Sequence, residues 1–312
     1  MLRTRGLILV NADGFSQPPV FRAPPALFNL DQTSPYGLNG EVPSLAAFAL
    51  EAVIQHAPKT LRRLGSAQAQ PGQTPDFRTP TQAELDALEA FMRTLVIPYD
   101  STFTLDRLLR TPAQRRGRDL FFGPIAKCSL CHGGNVLSDA APDLVISETS
   151  ANRAFNIGVA QLEPNATLRA REIHREFSTP QLFNVRHTAP FFHGNLAPTL
   201  RDAVAFYTSA EFNSSPAQEE VGDIILSEPA IDDLVAFLEA LTCPNDGDVN
   251  QDGQLTPADA LLAFKQFLGL VRLDTCQQDQ ADLRATGNGV TPGDALCIFQ
   301  RFMGLPGCPT GP

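Results

Sequence analysis

One arrangement of apolar and polar positions occurs twice along the chain. Residues 27–45, LFNLDQTSPYGLNGEVPSL, align without gaps on residues 182–200, LFNVRHTAPFFHGNLAPTL, with seven of nineteen positions identical at an offset of 155. Each copy is followed by a second matching stretch, LDALEAFMRTL at 85–95 and IDDLVAFLEAL at 231–241. Apolar residues at i, i+3, i+6 or i+7 and i+10 share one face of an α-helix, so an amphipathic helix is predicted to close each unit. The spacer is nine residues longer in the first copy, and the surplus is assigned to the polar GSAQAQPGQTP stretch at 65–75, a loop by composition. A period of this length predicts a duplicated domain.

Two further amphipathic stretches complete a mainly α reading. RRGRDLFFGPIA at 115–126 ends in Gly123 and Pro124, and a helix over 258–268 is expected to pack through Leu261, Leu262 and Phe264. With 43% hydrophobic and 19% charged residues the chain reads as globular. Runs of eighteen or more apolar residues are absent, which excludes a transmembrane helix. The opening MLRTRGLILVNADG has too short an apolar stretch for a signal-peptide core, so an exported protein would start upstream of Met1. A net charge of −10 with no Lys/Arg cluster argues against nucleic acid or an anionic membrane as partner.

The chemistry begins at KCSLCH, residues 127–132. Two thiols three residues apart can bond the two vinyl groups of a heme, and the adjacent histidine is then carried under the iron as the proximal ligand. Cys128 and Cys131 are thus candidate covalent heme anchors and His132 the candidate proximal ligand; a redox dithiol is the competing reading. No methionine lies between residues 97 and 242, so the opposite axial position falls to His174, His187, His193 or Tyr207. The first copy has no such motif. Its counterpart to His132 would lie ahead of Met1, so the chain is expected to begin inside a domain.

Over residues 114–241 the chain resembles the C-terminal heme domain of bacterial diheme cytochrome c peroxidases and MauG-like diheme enzymes. The resemblance is carried by RGRDLFF, CSLCHGG, FNIGV, FSTPQLFNVRHTAPFFHGNLAPTLRDAVAFY and LVAFLEAL. It implies cytochrome c-type helical heme domains and a distal ligand fourteen residues after the histidine of the Pro-aromatic-aromatic-His motif, methionine in the peroxidases and tyrosine in MauG. Counting from His193 gives Tyr207. The same resemblance makes His193 a neighbour of the heme without iron coordination, and the carbonyls of Thr188 and Pro190 partners of a calcium ion between two heme domains. In the family, peroxide reacts at the heme of the N-terminal domain. The first copy instead has Leu38 opposite His193 and Ala52 opposite Tyr207, and the chain has no tryptophan, a residue the family often places between the hemes.

After Cys243 the sequence becomes GDVNQDGQLTPADALLAFKQFLGL, with Asp248, Asn250 and Asp252 at loop positions 1, 3 and 5, Gly253 at the turn, Gln254 offering its carbonyl and Asp259 closing the loop. Oxygen ligands at alternate residues suit Ca2+. A second copy follows with Asp282 and Asp294 at the corresponding ends, but Arg284 and Thr286 replace ligands and one residue is inserted. The paired loop-helix units resemble a dockerin domain. That resemblance implies a cohesin-bearing scaffold as partner and, from the closeness of dockerin termini, the pairings Cys243–Cys308 and Cys276–Cys297. Four cysteines in the last 70 residues are read as disulfides, which points to a periplasmic or secreted protein.

The expected organisation is a partial first cytochrome-like domain at 1–97, a heme c domain at 98–242 and a calcium-binding module at 243–312. The expected function is that of a heme c electron-transfer oxidoreductase supplied by an electron-donor protein or small redox carrier, with peroxidase activity only if a second heme segment precedes it. The alternative is a monoheme electron-transfer or binding module placed by its tail on a scaffold.

Overall fold

The computed structural model describes residues 8–10, 20–56, 80–95, 105–134, 137–138, 154–163, 176–243, 246–284 and 289–308. The loop expected at 65–75, the candidate ligand His174 and Thr286 lie outside the described residues. Helices dominate: α1 (Leu45–His56), α2 (Gln82–Arg93), α3 (Pro112–Phe122), α4 (Leu200–Phe206), α5 (Pro216–Val221), α6 (Glu228–Ala240), α7 (Pro257–Phe267), α8 (Thr275–Ala281) and α9 (Pro292–Phe302). Two short antiparallel ribbons accompany them, β1 (Ile8–Val10) with β2 (Val20–Arg22) and β3 (Ala154–Phe155) with β4 (Phe177–Ser178).

The repeat read from the sequence is a repeat of backbone conformation. Asn29 and Asn184, 155 residues apart, both sit in the left-handed region, at φ 55° and 61°. Asparagine enters that region at lower cost than most side chains, because its short amide can bond locally. Each is followed by a 3-10 turn, Leu30–Gln32 and Val185–His187, then by a cis peptide before Pro35 and Pro190. Bridges Tyr36↔Val42 and Phe191↔Ala197 come next, and α1 and α4 start at Leu45 and Leu200. In both copies the backbone N–H of the asparagine donates to the carbonyl just past the closing helix, Asn29 to Leu95 at 2.8 Å and Asn184 to Leu241 at 2.6 Å. This ties the head of each unit to its end.

The chain clusters into two compact units, one of Met1–Val96, Asp119–Leu182 and His187–Val235, the other of Ile97–Arg118, Phe183–Arg186 and Ala236–Pro312. This division differs from the three consecutive segments expected. Both copies of the repeat contribute to the first unit, while the segment ahead of α3 and the end of α6 group with the C-terminal module. Within the first unit, Leu30, Tyr36, Val42, Leu45, Leu85 and Met92 form a core belonging to the first copy.

In the second unit, α7 and α9 pack around Val249, Ala260, Ala263, Ala295 and Ile298. Both start with a proline in the first turn and a Thr-x-x-Asp capping box, Thr256 with Asp259 and Thr291 with Asp294. The buried face of α7 corrects part of the sequence expectation: Ala260 and Ala263 are buried and Leu262 packs against the same core, whereas Leu261 and Phe264 are 52% and 40% exposed. Small alanines let the two helices approach closely, and Leu261 and Phe264 turn outward. The disulfides are corrected as well. Cys243 bonds Cys276 and Cys297 bonds Cys308, with Cα separations of 5.3 and 5.0 Å, in place of Cys243–Cys308 and Cys276–Cys297. The final turn after α9 folds back along its own helix, so Cys308 meets the cysteine eleven residues before it.

Candidate heme-attachment site

Helix α3 delivers the Cys-x-x-Cys-His segment. It buries Phe121 and stops at Gly123, where an added Cβ would lie 2.5 Å from the Asp119 carbonyl oxygen. Only glycine lets the chain leave the helix at this point without moving that backbone. Lys127 then adopts a left-handed φ of 55°, and a 3-10 turn, Cys128–Leu130, starts at the first cysteine and is capped by Cys131. The His132 amide donates to the Cys128 carbonyl at 2.8 Å, closing the attachment loop.

The protonation of this loop distinguishes its two chemical readings. Both cysteines are free, and burial pushes the Cys128 thiol up to about 12 and the Cys131 thiol up to about 11. A reactive dithiol depends on a depressed thiol pKa, so these values disfavour that reading. His132 is pushed down to about 4 by burial and is therefore neutral near pH 7. Its Nδ1 lies 3.1 Å from the carbonyl of Leu137, which can only accept, so Nδ1 is the donor. With the proton on Nδ1 the lone pair is on Nε2, although the Pro180 carbonyl also bonds the ring and favours a proton on it. This tautomer is the one that ligates a metal, and a carbonyl on the far ring nitrogen is the usual support for it.

Tyr207 caps α4 and joins the same apolar cluster as Cys131, together with Phe155, Val159, Phe206 and Phe212. Its ring meets Phe212 edge-on at a centroid distance of 5.1 Å. Burial raises its phenol well above the ordinary value, with Cys131 and Cys128 adding to the rise. His193 is 9% exposed and stacks on Phe177 with centroids 3.9 Å apart and planes 12° apart. The structure therefore gathers Cys131 and Tyr207 in one cluster and sets His193 against Phe177 at its edge. His187 and Thr188 are exposed.

The first copy abuts this region. Asn29 Nδ2 donates to Gln181 Oε1 at 2.8 Å, Gln181 Nε2 returns a bond to the Phe28 carbonyl at 2.9 Å, and the Ser178 amide donates to the Leu38 carbonyl at 2.8 Å. The left-handed Asn29 thus has a second task, which its place in the repeat did not disclose.

In the C-terminal module the acidic loop is wound around its first residue. Asp248 Oδ1 accepts from the Asp252 amide at 3.1 Å and Oδ2 from the Gly253 amide at 2.8 Å. Asp259 accepts from the amides of Asn250 and Thr256, and Asp294 repeats this with Arg284 and Thr291. Asp259 and Asp294 are wholly buried, whereas Asp252 and Gln254 are exposed. Among the described residues no three His, Cys, Asp or Glu side chains form a group that could hold a metal. Sequence reasoning missed Arg110, whose Nη2 lies 2.6 Å from Asp248 Oδ2. An arginine 138 residues upstream leaves no local pattern by which it could have been found.

No family model matches the chain. It is 33% identical over 166 residues to cytochrome c peroxidase Ccp of Escherichia coli, covering 50% of this chain and 31% of that protein. It is 26% identical over 249 residues to the methylamine utilization protein MauG of Methylorubrum extorquens, covering 75% of this chain and 68% of that protein. Against the cytochrome-c peroxidase IdrP1 of Denitromonas iodatirespirans the identity is 27%, covering 54% of this chain and 51% of that protein. The chain thus spans about a third of the length of the first of these peroxidases and about half of the second. A solved MauG-like protein associated with microbial copper homeostasis superposes with a TM-score of 0.51 at 22% identity, over 76% of this chain and 77% of that one. The repeat and the attachment loop thus accompany a sequence similarity to cytochrome c peroxidases and to MauG.

Proposed function

We propose that the chain is a heme c electron-transfer oxidoreductase, with heme bonded to Cys128 and Cys131, His132 as proximal ligand and Tyr207 as distal ligand. The observation that carries this is the His132 ring, whose Nδ1 donates to the Leu137 carbonyl, the tautomer in which Nε2 can bind iron. Bound heme supplies reversible one-electron exchange. The chain's own residues orient His132, exclude water with Phe155, Phe206 and Phe212, and hold a phenol that burial keeps protonated unless a cation compensates it. The donor is taken to be a protein or small redox carrier, and peroxide turnover is expected only where a second heme segment accompanies this one. Disulfides in the C-terminal module favour a periplasmic or secreted setting. No described helix is long and apolar enough to cross a membrane. Mass spectrometry and a pyridine hemochrome spectrum test the attachment; the proposal fails if protein matured with heme carries none. Tyr207→Phe tests the axial pair, which fails if the ferric spectrum is unchanged.

A dockerin-like role for the tail rests on a separate observation. Leu261, Phe264 and Phe267 on α7 and Leu296, Phe299 and Phe302 on α9 are 40–54% exposed, and the two sets stand 35 residues apart in register. Such a duplicated apolar surface suits docking on a cohesin-type scaffold. Calcium would be held by Asp248, Asn250, Asp252, Gln254 and Asp259, in competition with Arg110 for Asp248, and more weakly by the loop between Asp282 and Asp294. The carbonyls of Thr188 and Pro190 are proposed for a further calcium ion. Calorimetric titration with Ca2+ checks this: one strong event from the first loop is expected, lost in Asp248→Ala.

A further inference from the structure

We propose that Lys127 is a positioning residue that fixes the heme-attachment loop to the segment carrying Tyr207, and so sets how Tyr207 meets the iron. The proposal rests on the axial reading given above. Lys127 directly precedes Cys128, yet its side chain does not extend into water. Nζ donates to the carbonyl of Val221 at 2.7 Å and lies 3.3 Å from that of Asp223. These carbonyls flank Gly222, whose φ of 73° and ψ of 174° turn both toward one ammonium. A Cβ at residue 222 would lie 3.0 Å from Nζ and crowd the ammonium. Val221 ends α5, where carbonyls lack helical partners and a cation is favoured.

From this bracket the bonding continues without a gap to Tyr207. Ile224, next after Asp223 and 5% exposed, donates its amide to Asn213 Oδ1 at 3.0 Å. Its carbonyl accepts from Asn213 Nδ2 and Thr208 Oγ1, both at 3.1 Å. The Leu226 amide donates to the same Thr208 Oγ1 at 3.1 Å. Thr208 immediately follows Tyr207. The path therefore runs from Cys128 through Lys127, the carbonyls of 221 and 223, and Ile224 to Thr208 and Tyr207. One end carries a covalent anchor of the heme and the other its distal ligand. Releasing the ammonium frees both carbonyls and lets the 222–226 segment shift, and Tyr207 with it.

The test uses heme-loaded full-length protein with Lys127→Met, Lys127→Arg, Thr208→Val and Tyr207→Phe. Hydrogen exchange of the Ile224 and Leu226 amides reads the bracket, and the ferric spectrum with cyanide affinity reads the distal ligand. Lys127→Met should keep covalent heme while exchange at both amides and cyanide affinity each rise by about tenfold, as expected for loss of a charged hydrogen bond. Lys127→Arg should restore most of both. Thr208→Val should reproduce the rise in cyanide affinity without touching the attachment loop, and it decides the matter if Lys127→Met fails to load heme. Unchanged exchange in Lys127→Met overturns the bracket. Faster exchange with an unchanged ferric spectrum, while Tyr207→Phe alters that spectrum, overturns the positioning role. A silent Tyr207→Phe instead removes the axial reading, and the positioning of a ligand falls with it.

Discussion

The two copies of the repeat share a backbone and differ in chemistry. Each has a left-handed asparagine, a 3-10 turn, a bridge and a helix start at matching positions. The second has His193 and Tyr207 where the first has Leu38 and Ala52. The scaffold is thus specified by residues whose backbone preferences are strong, such as Asn and Pro, and by apolar spacing. The chemistry depends on a handful of side chains that the scaffold holds but does not require. Loss of His or Tyr from one copy leaves its fold intact, because Leu30, Tyr36, Val42 and Leu45 close a core without them.

The largest expected effect separates the copies completely. Cys128→Ala with Cys131→Ala should abolish covalent heme, read by mass spectrometry, and any covalent heme remaining in that variant would assign a second attachment site to this chain. Next comes burial at an equivalent position. Leu45 is fully buried and its counterpart Leu200 only partly, so Leu45→Ala should cost about 2–5 kcal/mol by chemical denaturation and Leu200→Ala clearly less. Equal losses would show that the first copy's core is not self-sufficient. Asn29→Ala removes a buried side-chain bond and leaves a residue poorly suited to positive φ, with an expected loss of about 1–3 kcal/mol.

A smaller effect depends on pH. In heme-free protein the His132 pKa is depressed from 6.5 to about 4, so between these values the unfolded chain binds more protons. Stability should be level above pH 6.5, fall as pH drops toward 4 and change no further from this group below that. His132→Gln should flatten the profile in that window. The smallest effect is on the surface: Arg201 pairs with Glu228 and Asp232 in the open, and Arg201→Ala should leave the melting temperature within error.

What sequence alone determined is local or periodic. The duplication and the closing helices follow from spacing and backbone preference. The attachment loop was legible because heme requires three residues at fixed separation. Its support was not: the Leu137 carbonyl that sets the His132 tautomer, the Gln181 amide on Asn29 and the Val221 and Asp223 carbonyls on Lys127 are backbone groups or distant side chains. Backbone carbonyls are common to all residues, so no sequence letter marks the one that matters.

The same limit accounts for the corrections. Four cysteines allow three pairings, and the choice of Cys243 with Cys276 depended on where the chain turns. The inward face of α7 depended on how closely α9 approaches, which selected Ala260 and Ala263 over Leu261 and Phe264. Arg110 reached Asp248 from 138 positions away. Residue type and spacing fix what each segment can do by itself. Which partner it finds is decided by packing, because the free energy of a contact depends on its neighbours in space rather than along the chain.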